Sequence, residues 1–334
     1  MSSLATKYMG LDLAHPIVPG ASPLGDDIDA VLRLEDEAAP AVVMRSIFEE
    51  QIALDQMAAH RHMDVHAGPE AEGGVFPDTD VFALGLDAYL DQLRRIRERT
   101  SLKVIGSLNG VTPGGWTDYA RRIQVAGAHA LELNLYAVPA DARLSASDLE
   151  GQQIATVREV TRAVSLPVAV KLSPYYSSLP HFVQKVEEAG ARAVVLFNRF
   201  YQPDIDPVRL EASRTLHLST PDELLLRLRW LAIVSPQTRL DLAASGGVHA
   251  ASDVVKAVMA GAHVVQVVST LLRHGPKQLR VLVDGLREFL ELEEYPSIET
   301  MRGNMNHARS PDPAAYERSE YIQLLSSWHG RTPV

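Results

Sequence analysis

Two kinds of hydrophobic periodicity alternate along this chain, one typical of strands and one typical of helices. Short apolar runs such as Ala130 to Tyr136 and Pro167 to Ser173 have a period of two and predict buried strands. Segments such as Pro276 to Leu292 carry apolar residues every three or four positions and predict amphipathic helices. Eight strand-like runs, each followed by a helix-like segment, occupy residues 1–294. This order is typical of parallel βαβ units and predicts a (β/α)8 TIM barrel, with a doubly wound sheet as the alternative.

Two excursions and a tail interrupt or follow this repeat. The excursions cover residues 48–88 and 199–220, and loops that follow barrel strands usually shape a substrate pocket. The first contains His60, His62 and His66, whose spacing fits neither one helix face nor a familiar zinc pattern, so no metal is predicted. We expect the polar tail, residues 295–334, to pack on the barrel or at a subunit contact.

The composition of the chain argues against several classes of function. The formal net charge of −10 argues against a nucleic-acid partner. Because the chain has no cysteine, it cannot form disulfides, use a thiol nucleophile or ligate an iron–sulfur cluster through thiolates. No apolar run approaches the roughly 18 residues of a membrane span. The N-terminal residues MSSLATKYMGLDL lack the pattern of a secretory signal. We therefore expect a cytoplasmic protein without a membrane segment.

Polar side chains collect at the carboxyl ends of the predicted strands. In Ala130 to Tyr136 the leucines share one face, so Glu132 and Asn134 face the barrel interior. The same alternation turns Lys171 inward. A buried charge or amide needs a partner or a ligand. These three residues are therefore candidates for a site at the barrel mouth, with satisfied structural residues as the alternative.

The segment Leu240 to Leu272 carries the clearest ligand signal. It contains a strand ending in Ser245-Gly246-Gly247, a helix, and a second strand ending in Ser269-Thr270. In TIM barrels the ends of the seventh and eighth strands commonly hold a phosphate. A glycine pair lets backbone amides approach an anion, and the two hydroxyls add donors. An ordinary tight turn is the alternative.

In chain order, the strand ends resemble those of the dihydroorotate dehydrogenases, the soluble class in particular, from about Tyr8 to Leu290. The motifs that carry the resemblance are Ala21-Ser22, Arg45-Ser46, Asn109, Glu132-Leu133-Asn134, Lys171-Leu172-Ser173-Pro174, Asn198, Ser245-Gly246-Gly247 and Val268-Ser269. The resemblance implies FMN as cofactor.

The resemblance also implies roles for the matched residues. Gly246, Gly247, Val268 and Ser269 would bind the FMN phosphate, and Lys171 would lie near the N1 and O2 edge of the flavin, stabilising the reduced ring. The remaining cofactor-binding positions that it implies are Ala21, Ser22, Arg45, Ser46, Asn109, Asn134, Asn198 and Ser245. Arg45 stands where family members usually have a lysine.

Two segments depart from the family pattern. Family members carry Asn-Leu-Ser-Cys-Pro-Asn, or the same with a serine base, after the fourth strand. Residues 134–140 read NLYAVPA here, without cysteine or serine at the base position. The orotate-binding loop Asn-Ser-Met-Gly-Leu-Pro-Asn is replaced by residues 82–88, FALGLDA. Dihydroorotate is therefore not the expected substrate.

The leading hypothesis is an FMN-dependent oxidoreductase of the CH–CH donor type, with hydride transfer between a small-molecule substrate and flavin N5. Tyr136 and His66 are candidate bases. One alternative is a barrel lyase or isomerase that uses Lys171 on a phosphorylated substrate. Another is a flavoprotein subunit that passes electrons to a partner protein carrying iron–sulfur clusters. We also expect a homo-oligomer.

Overall fold

A computed structural model describes residues 2–48, 85–109, 115–200, 202–213, 215–317 and 326 of the chain. Eight parallel strands of this part form a nearly closed barrel, which confirms the predicted TIM barrel. The strands in chain order are β1 (Thr6–Tyr8), β2 (Leu11–Leu13), β3 (Ile17–Pro19), β4 (Ala41–Val43), β5 (Ile47–Phe48), β6 (Lys103–Asn109), β7 (Ala130–Asn134), β8 (Val168–Leu172), β9 (Ala193–Leu196), β10 (Asp204–Asp206), β11 (Glu211–Ser213), β12 (Asp241–Ser245) and β13 (Val264–Val267). The helices are α1 (Ile28–Asp36), α2 (Leu86–Arg99), α3 (Gly115–Val125), α4 (Ala146–Ala163), α5 (Leu179–Glu188), α6 (Leu224–Val234), α7 (Ala251–Ala260), α8 (Ser269–His274), α9 (Gln278–Leu292) and α10 (Ile298–Met301).

The barrel strands follow one another in the order β3, β4, β6, β7, β8, β9, β12 and β13. The last strand, β13, pairs with the first, β3, through residues such as Gln266 opposite Val18. Strand β5 adds a short ladder to the carboxyl end of β6. Because all these strands are parallel, their carboxyl ends lie at one mouth of the barrel.

Each barrel strand separates two apolar layers, as its period of two predicts. Leu131 and Leu133 of β7 belong to the large cluster between the sheet and the surrounding helices. Ala130 and Ala169, by contrast, belong to the smaller cluster inside the barrel. The small inward side chains leave room for the longer polar side chains above them. Glu132 is two residues after Ala130 on the same face of β7, so this alternation places its side chain in the interior.

A hairpin at the N-terminus closes the other end of the barrel. Strands β1 and β2 pair antiparallel, with Tyr8 opposite Leu11. The two residues between them, Met9 and Gly10, both have positive φ, 52° and 77°, as in a type I′ turn. Tyr8 and Leu13 pack in the inner cluster, and the Met9 amide donates to Asp241 at 2.6 Å. The hairpin therefore seals the amino-terminal end with apolar side chains.

The excursions and the tail are described in part. Most of residues 48–88, including the three histidines, lie outside the described residues. The second excursion contains the antiparallel hairpin β10–β11, which the sequence did not predict. The start of the tail packs on two barrel helices: the Gly303 amide donates to the Val258 carbonyl at 3.0 Å and the His307 amide to the Ala232 carbonyl at 2.9 Å.

Among the described residues, no helix is both long enough and apolar enough to cross a membrane.

The buried histidine that precedes β3 makes stability depend on pH. His15 is 3% exposed, and its ring bonds the Ala38 carbonyl at 2.8 Å and the Ile17 amide at 3.2 Å. Burial, helped by Arg287 and Arg280, lowers its pKa from 6.5 to about 4. Between these values the unfolded chain binds a proton that the folded chain does not. The free energy of unfolding should therefore fall with falling pH, by about 2 kcal/mol at pH 5 from this group.

Urea unfolding at pH 7.5 and pH 5 checks this expectation. His15→Asn keeps an acceptor for the Ile17 amide but does not titrate, so it should lose about 2 kcal/mol less than the parent over this interval. His181→Asn, an exposed position on α5, is the control. An equal loss for the parent and His15→Asn would contradict the expectation.

Candidate functional site

A cavity of about 320 Å³ opens at the carboxyl ends of the barrel strands. The predicted cofactor-binding residues that line it are Ala21, Ser22, Arg45, Ser46, Asn134, Lys171, Asn198, Ser245, Gly246, Gly247, Val268 and Ser269. They come from loops far apart in the chain and meet because the parallel strands end together. The structure thus brings almost all of the sequence-predicted residues to one place.

Two predicted residues lie outside the wall of this cavity. Asn109 is 4% exposed at the end of β6, directly opposite Asn134 in the ladder. The Tyr136 ring packs against Phe200, with ring centroids 5.5 Å apart. Asn109 is therefore adjacent to the site through Asn134, and Tyr136 packs in an aromatic pair beside it.

A buried charge network lies beneath the cavity. Lys171 Nζ donates to Glu132 Oε1 and to Gln266 Oε1, each at 3.3 Å. Gln266 Nε2 donates to Glu132 Oε2 at 2.5 Å. The three residues are 8%, 1% and 2% exposed and come from β8, β7 and β13. An ammonium group has three N–H donors, so one donor of Lys171 remains beyond these two bonds.

Gln266 was not singled out from the sequence. A signal was present, because Val265 and Val267 pack in the outer layer and Gln266 is the polar residue between them. Strand alternation therefore predicts that its amide points inward. A buried amide facing Glu132 and Lys171 satisfies the carboxylate oxygen that the lysine leaves unbonded.

Two asparagines stand above this network. Asn198, just after β9, donates from Nδ2 to Asn134 Oδ1. Both are buried, at 7% and 8% exposed. In the ladder, Asn134 lies opposite Lys171. The pair therefore presents amide groups to the cavity next to Lys171. Among the described residues that line the cavity, Lys171 carries the one ammonium group.

The glycine pair after β12 forms a tight turn. Gly246 and Gly247 have φ values of +95° and +80°, a region that side chains rarely adopt. A Cβ on Gly247 would lie 2.4 Å from the backbone nitrogen of Leu224, and one on Gly246 would lie 3.0 Å from Arg227 Nη2. Only glycine fits this close approach of backbone to backbone.

Ser219 connects the glycine turn to Ser269, the first residue of α8. Its Oγ accepts from the Gly247 amide at 3.2 Å and donates to Ser269 Oγ at 2.8 Å. The Ser219 amide donates to the same Ser269 oxygen at 3.0 Å. Ser219 lies in the second excursion, where no periodic pattern marks it. The Gly246 amide, the Ser269 hydroxyl and the neighbouring Arg227 guanidinium make this turn a donor set that fits a phosphate group. We call Gly246, Gly247, Ser219 and Ser269 the phosphate cradle.

Arginines supply the charge at the cavity wall. Arg45 makes an ion pair with Asp26; burial raises the pKa of the Asp26 carboxyl and the nearby guanidinium opposes that rise. Arg199 Nη2 lies 3.7 Å from Glu223 Oε1. Glu223 is the one carboxylate among the described lining residues. The described lining is therefore net positive, which suits an anionic ligand.

Within the described residues, no group of three or more histidine, aspartate or glutamate side chains is arranged to hold a metal ion.

A cavity at the carboxyl ends of the strands is the arrangement typical of TIM-barrel enzymes. The model of the dihydroorotate dehydrogenase family matches residues 78–290. A putative dihydroorotate dehydrogenase A (fumarate) of Aeropyrum pernix is 32% identical, over 91% of this chain and 98% of that protein. The chain belongs to the dihydroorotate dehydrogenase family, and it is an oxidoreductase.

Two further relatives are the catalytic subunits of dihydroorotate dehydrogenase B (NAD(+)) from Thermoplasma acidophilum and Methanothermobacter thermautotrophicus. They are 27% and 26% identical. The alignments cover 91% and 90% of this chain, and 99% and 97% of the relatives. Each alignment therefore spans most of this chain and nearly all of the relative.

Substitution in the glycine turn should lower the free energy of unfolding even when no ligand is bound. Gly247→Ala places a methyl group against the Leu224 backbone at a positive φ, so we expect it to lower the free energy of unfolding by about 1–3 kcal/mol. Gly151→Ala is the matched control, because Gly151 is an exposed position of α4 with open space around a Cβ. It should raise stability by up to about 1 kcal/mol. Urea unfolding of both variants measures the difference, and equal effects would contradict the close approach.

Proposed function

We propose that this protein is an FMN-dependent oxidoreductase that acts on a small molecule other than dihydroorotate. The observation that carries the proposal is one cavity with the phosphate cradle in its wall and the buried Lys171 ammonium facing the same space. A ligand with a phosphate and an electron-accepting ring needs both features at once. Membership in a family of dehydrogenases supports the same assignment.

In this proposal, the phosphate cradle holds the FMN phosphate, while Ala21, Ser22 and Asn134 line the ring and Lys171 faces its electron-rich edge. When bound, FMN supplies the two-electron acceptor and donor for the reaction. Lys171 is held by Glu132 and Gln266, so its ammonium group needs no reorganisation to stabilise negative charge in the cavity. The apolar side chains of the N-terminal hairpin exclude water from the amino-terminal end of the barrel.

The substrate proposal rests on the segment after β7. Residues 136–140 contain neither cysteine nor serine, so the family's proton acceptor has no counterpart there. The role of Tyr136 as a base stays a prediction. Its ring packs beside Phe200, outside the cavity wall. The described lining also carries Arg199 next to Asn198. A guanidinium group at this point favours a substrate with an anionic group.

The second candidate is a flavoprotein subunit that exchanges electrons with a partner protein. Two relatives are named as catalytic subunits, which favours a complex. The hairpin β10–β11 also exposes Ile205, Val208 and Leu210 at 74%, 89% and 87%. Co-purification of a partner, or flavin reduction by ferredoxin or NADH and by no small molecule, would support this candidate. A homo-oligomer stays a prediction that light scattering can test.

The purified protein should carry or take up FMN and should leave dihydroorotate unoxidised. An absorbance spectrum, followed by identification of the flavin released on denaturation, checks the cofactor. Anaerobic photoreduction and a screen of oxidants, with dihydroorotate included, then checks the substrate. A colourless protein that takes up no FMN would refute the cofactor assignment. Rapid reduction by dihydroorotate would refute the substrate assignment and leave the cofactor assignment standing.

The charge network should set the reduction potential of the bound flavin. Lys171→Gln removes the cation, so the midpoint potential should fall by about 30 mV or more, which is tenfold in the equilibrium of a two-electron couple. Glu132→Gln removes the opposing anion and should raise the potential. The double variant Lys171→Gln, Glu132→Gln, in which no unpaired charge stays buried, should lie between Lys171→Gln and Glu132→Gln. Dye-linked titration measures all four proteins, and equal potentials would contradict the placement of Lys171.

A further inference from the structure

A second buried cation, Arg227, lies behind the phosphate cradle. It is 5% exposed on α6. Its Nε donates to the Ser245 carbonyl at 2.9 Å and its Nη1 to the Glu223 carbonyl at 2.6 Å. Two backbone acceptors therefore fix the plane of the guanidinium group. Its remaining edge faces the glycine turn, because a Cβ on Gly246 would lie 3.0 Å from Nη2.

The charge of Arg227 is incompletely balanced among the described residues. Its nearest carboxylate oxygen, Glu223 Oε2, is 3.9 Å from Nη2, which is too far for a hydrogen bond. The other oxygen of Glu223 lies 3.7 Å from Arg199. One carboxylate thus serves two guanidinium groups. Burial, the largest cause, lowers the pKa of Arg227, although an arginine stays protonated in proteins.

A buried cation with unused donors is costly unless an anion meets it. Arg227 has five N–H donors, and its hydrogen bonds to the Ser245 and Glu223 carbonyls occupy only two of them. It lines the same cavity as Gly246, Gly247 and Ser269. The cradle residues themselves are neutral. A phosphate seated on them would be the missing counterion for this side chain.

We propose that Arg227 binds the phosphate of a phosphate monoester seated on the cradle, and that this contact makes the site select FMN over riboflavin. The inference rests on the proposed function for the identity of the ligand, and on the cradle alone for its phosphate. A lysine would not replace the arginine, because one ammonium group cannot bond two fixed carbonyls and a ligand in one plane.

The test compares two ligands that differ in the phosphate alone. Quenching of flavin fluorescence gives the Kd of the flavin-free protein for FMN and for riboflavin. Arg227→Gln should weaken FMN binding at least about tenfold and riboflavin binding less than about twofold, since hydrogen bonds to charged groups are the strong ones. Arg229→Gln is the matched control, because Arg229 is exposed two residues further along α6. It should change neither Kd.

A purely structural role gives a different result. If Arg227 only fixes the glycine turn, Arg227→Gln weakens both ligands by the same factor, and the proposal is overturned; unchanged FMN binding overturns it as well. Should Arg227→Gln fail to fold in circular-dichroism melts, Arg227→Lys takes its place. The ratio of the two Kd values should then shift by at least about threefold, and an unchanged ratio overturns the proposal.

Failure of the proposed function would be visible separately. If the parent protein binds neither flavin, the FMN assignment fails, and titration calorimetry with inorganic phosphate still tests Arg227. Binding by the parent and by Arg229→Gln, with at least about tenfold weaker binding by Arg227→Gln, would support the phosphate contact. Equal phosphate binding by all three proteins, or none by any of them, would overturn it.

Discussion

The charge of Lys171 inside the barrel constrains much of the structure around it. An ammonium group removed from water needs an anion, and Glu132 supplies it from the neighbouring strand. The second oxygen of that carboxylate needs a donor in turn, and Gln266 supplies it from across the barrel. The inward alanines beneath, such as Ala130 and Ala169, leave space for these long side chains. One cation therefore explains why polar side chains from three strands meet inside the barrel.

The two ends of the barrel differ in structure: one is closed and the other holds the cavity. The amino-terminal end is closed by the β1–β2 hairpin and contains histidines that accept hydrogen bonds from backbone amides, the buried His15 and the half-buried His263. The carboxyl end holds amides, hydroxyls and guanidinium groups around an open cavity. The apolar closure of the barrel thus lies at the end opposite the cavity.

Much of this arrangement could be predicted from the sequence. The period of two placed Glu132, Asn134 and Lys171 inside the barrel, and the order of the strand ends brought the cradle glycines to the same mouth. These predictions succeeded because a closed sheet with helices around it allows each strand only one inward face. The N-terminal hairpin was missed, since Met9-Gly10 is not one of the familiar turn pairs. Arg227 was missed because an arginine in the apolar run of α6 reads as a solvent-exposed position, whereas its side chain turns back to the Ser245 carbonyl.

The position of Gln266 has a consequence for how the barrel assembles. It lies on β13, the strand whose ladder with β3 joins the end of the barrel to its beginning. Glu132 and Lys171 are on adjacent strands and can meet early, but the amide that completes their network is separated from Glu132 by 134 positions in the chain. Ring closure and completion of the buried network are therefore one event. A chain that lacks its last strand would leave this Glu132 oxygen without its Gln266 donor in the core, so the buried network of the first half depends on the last strand.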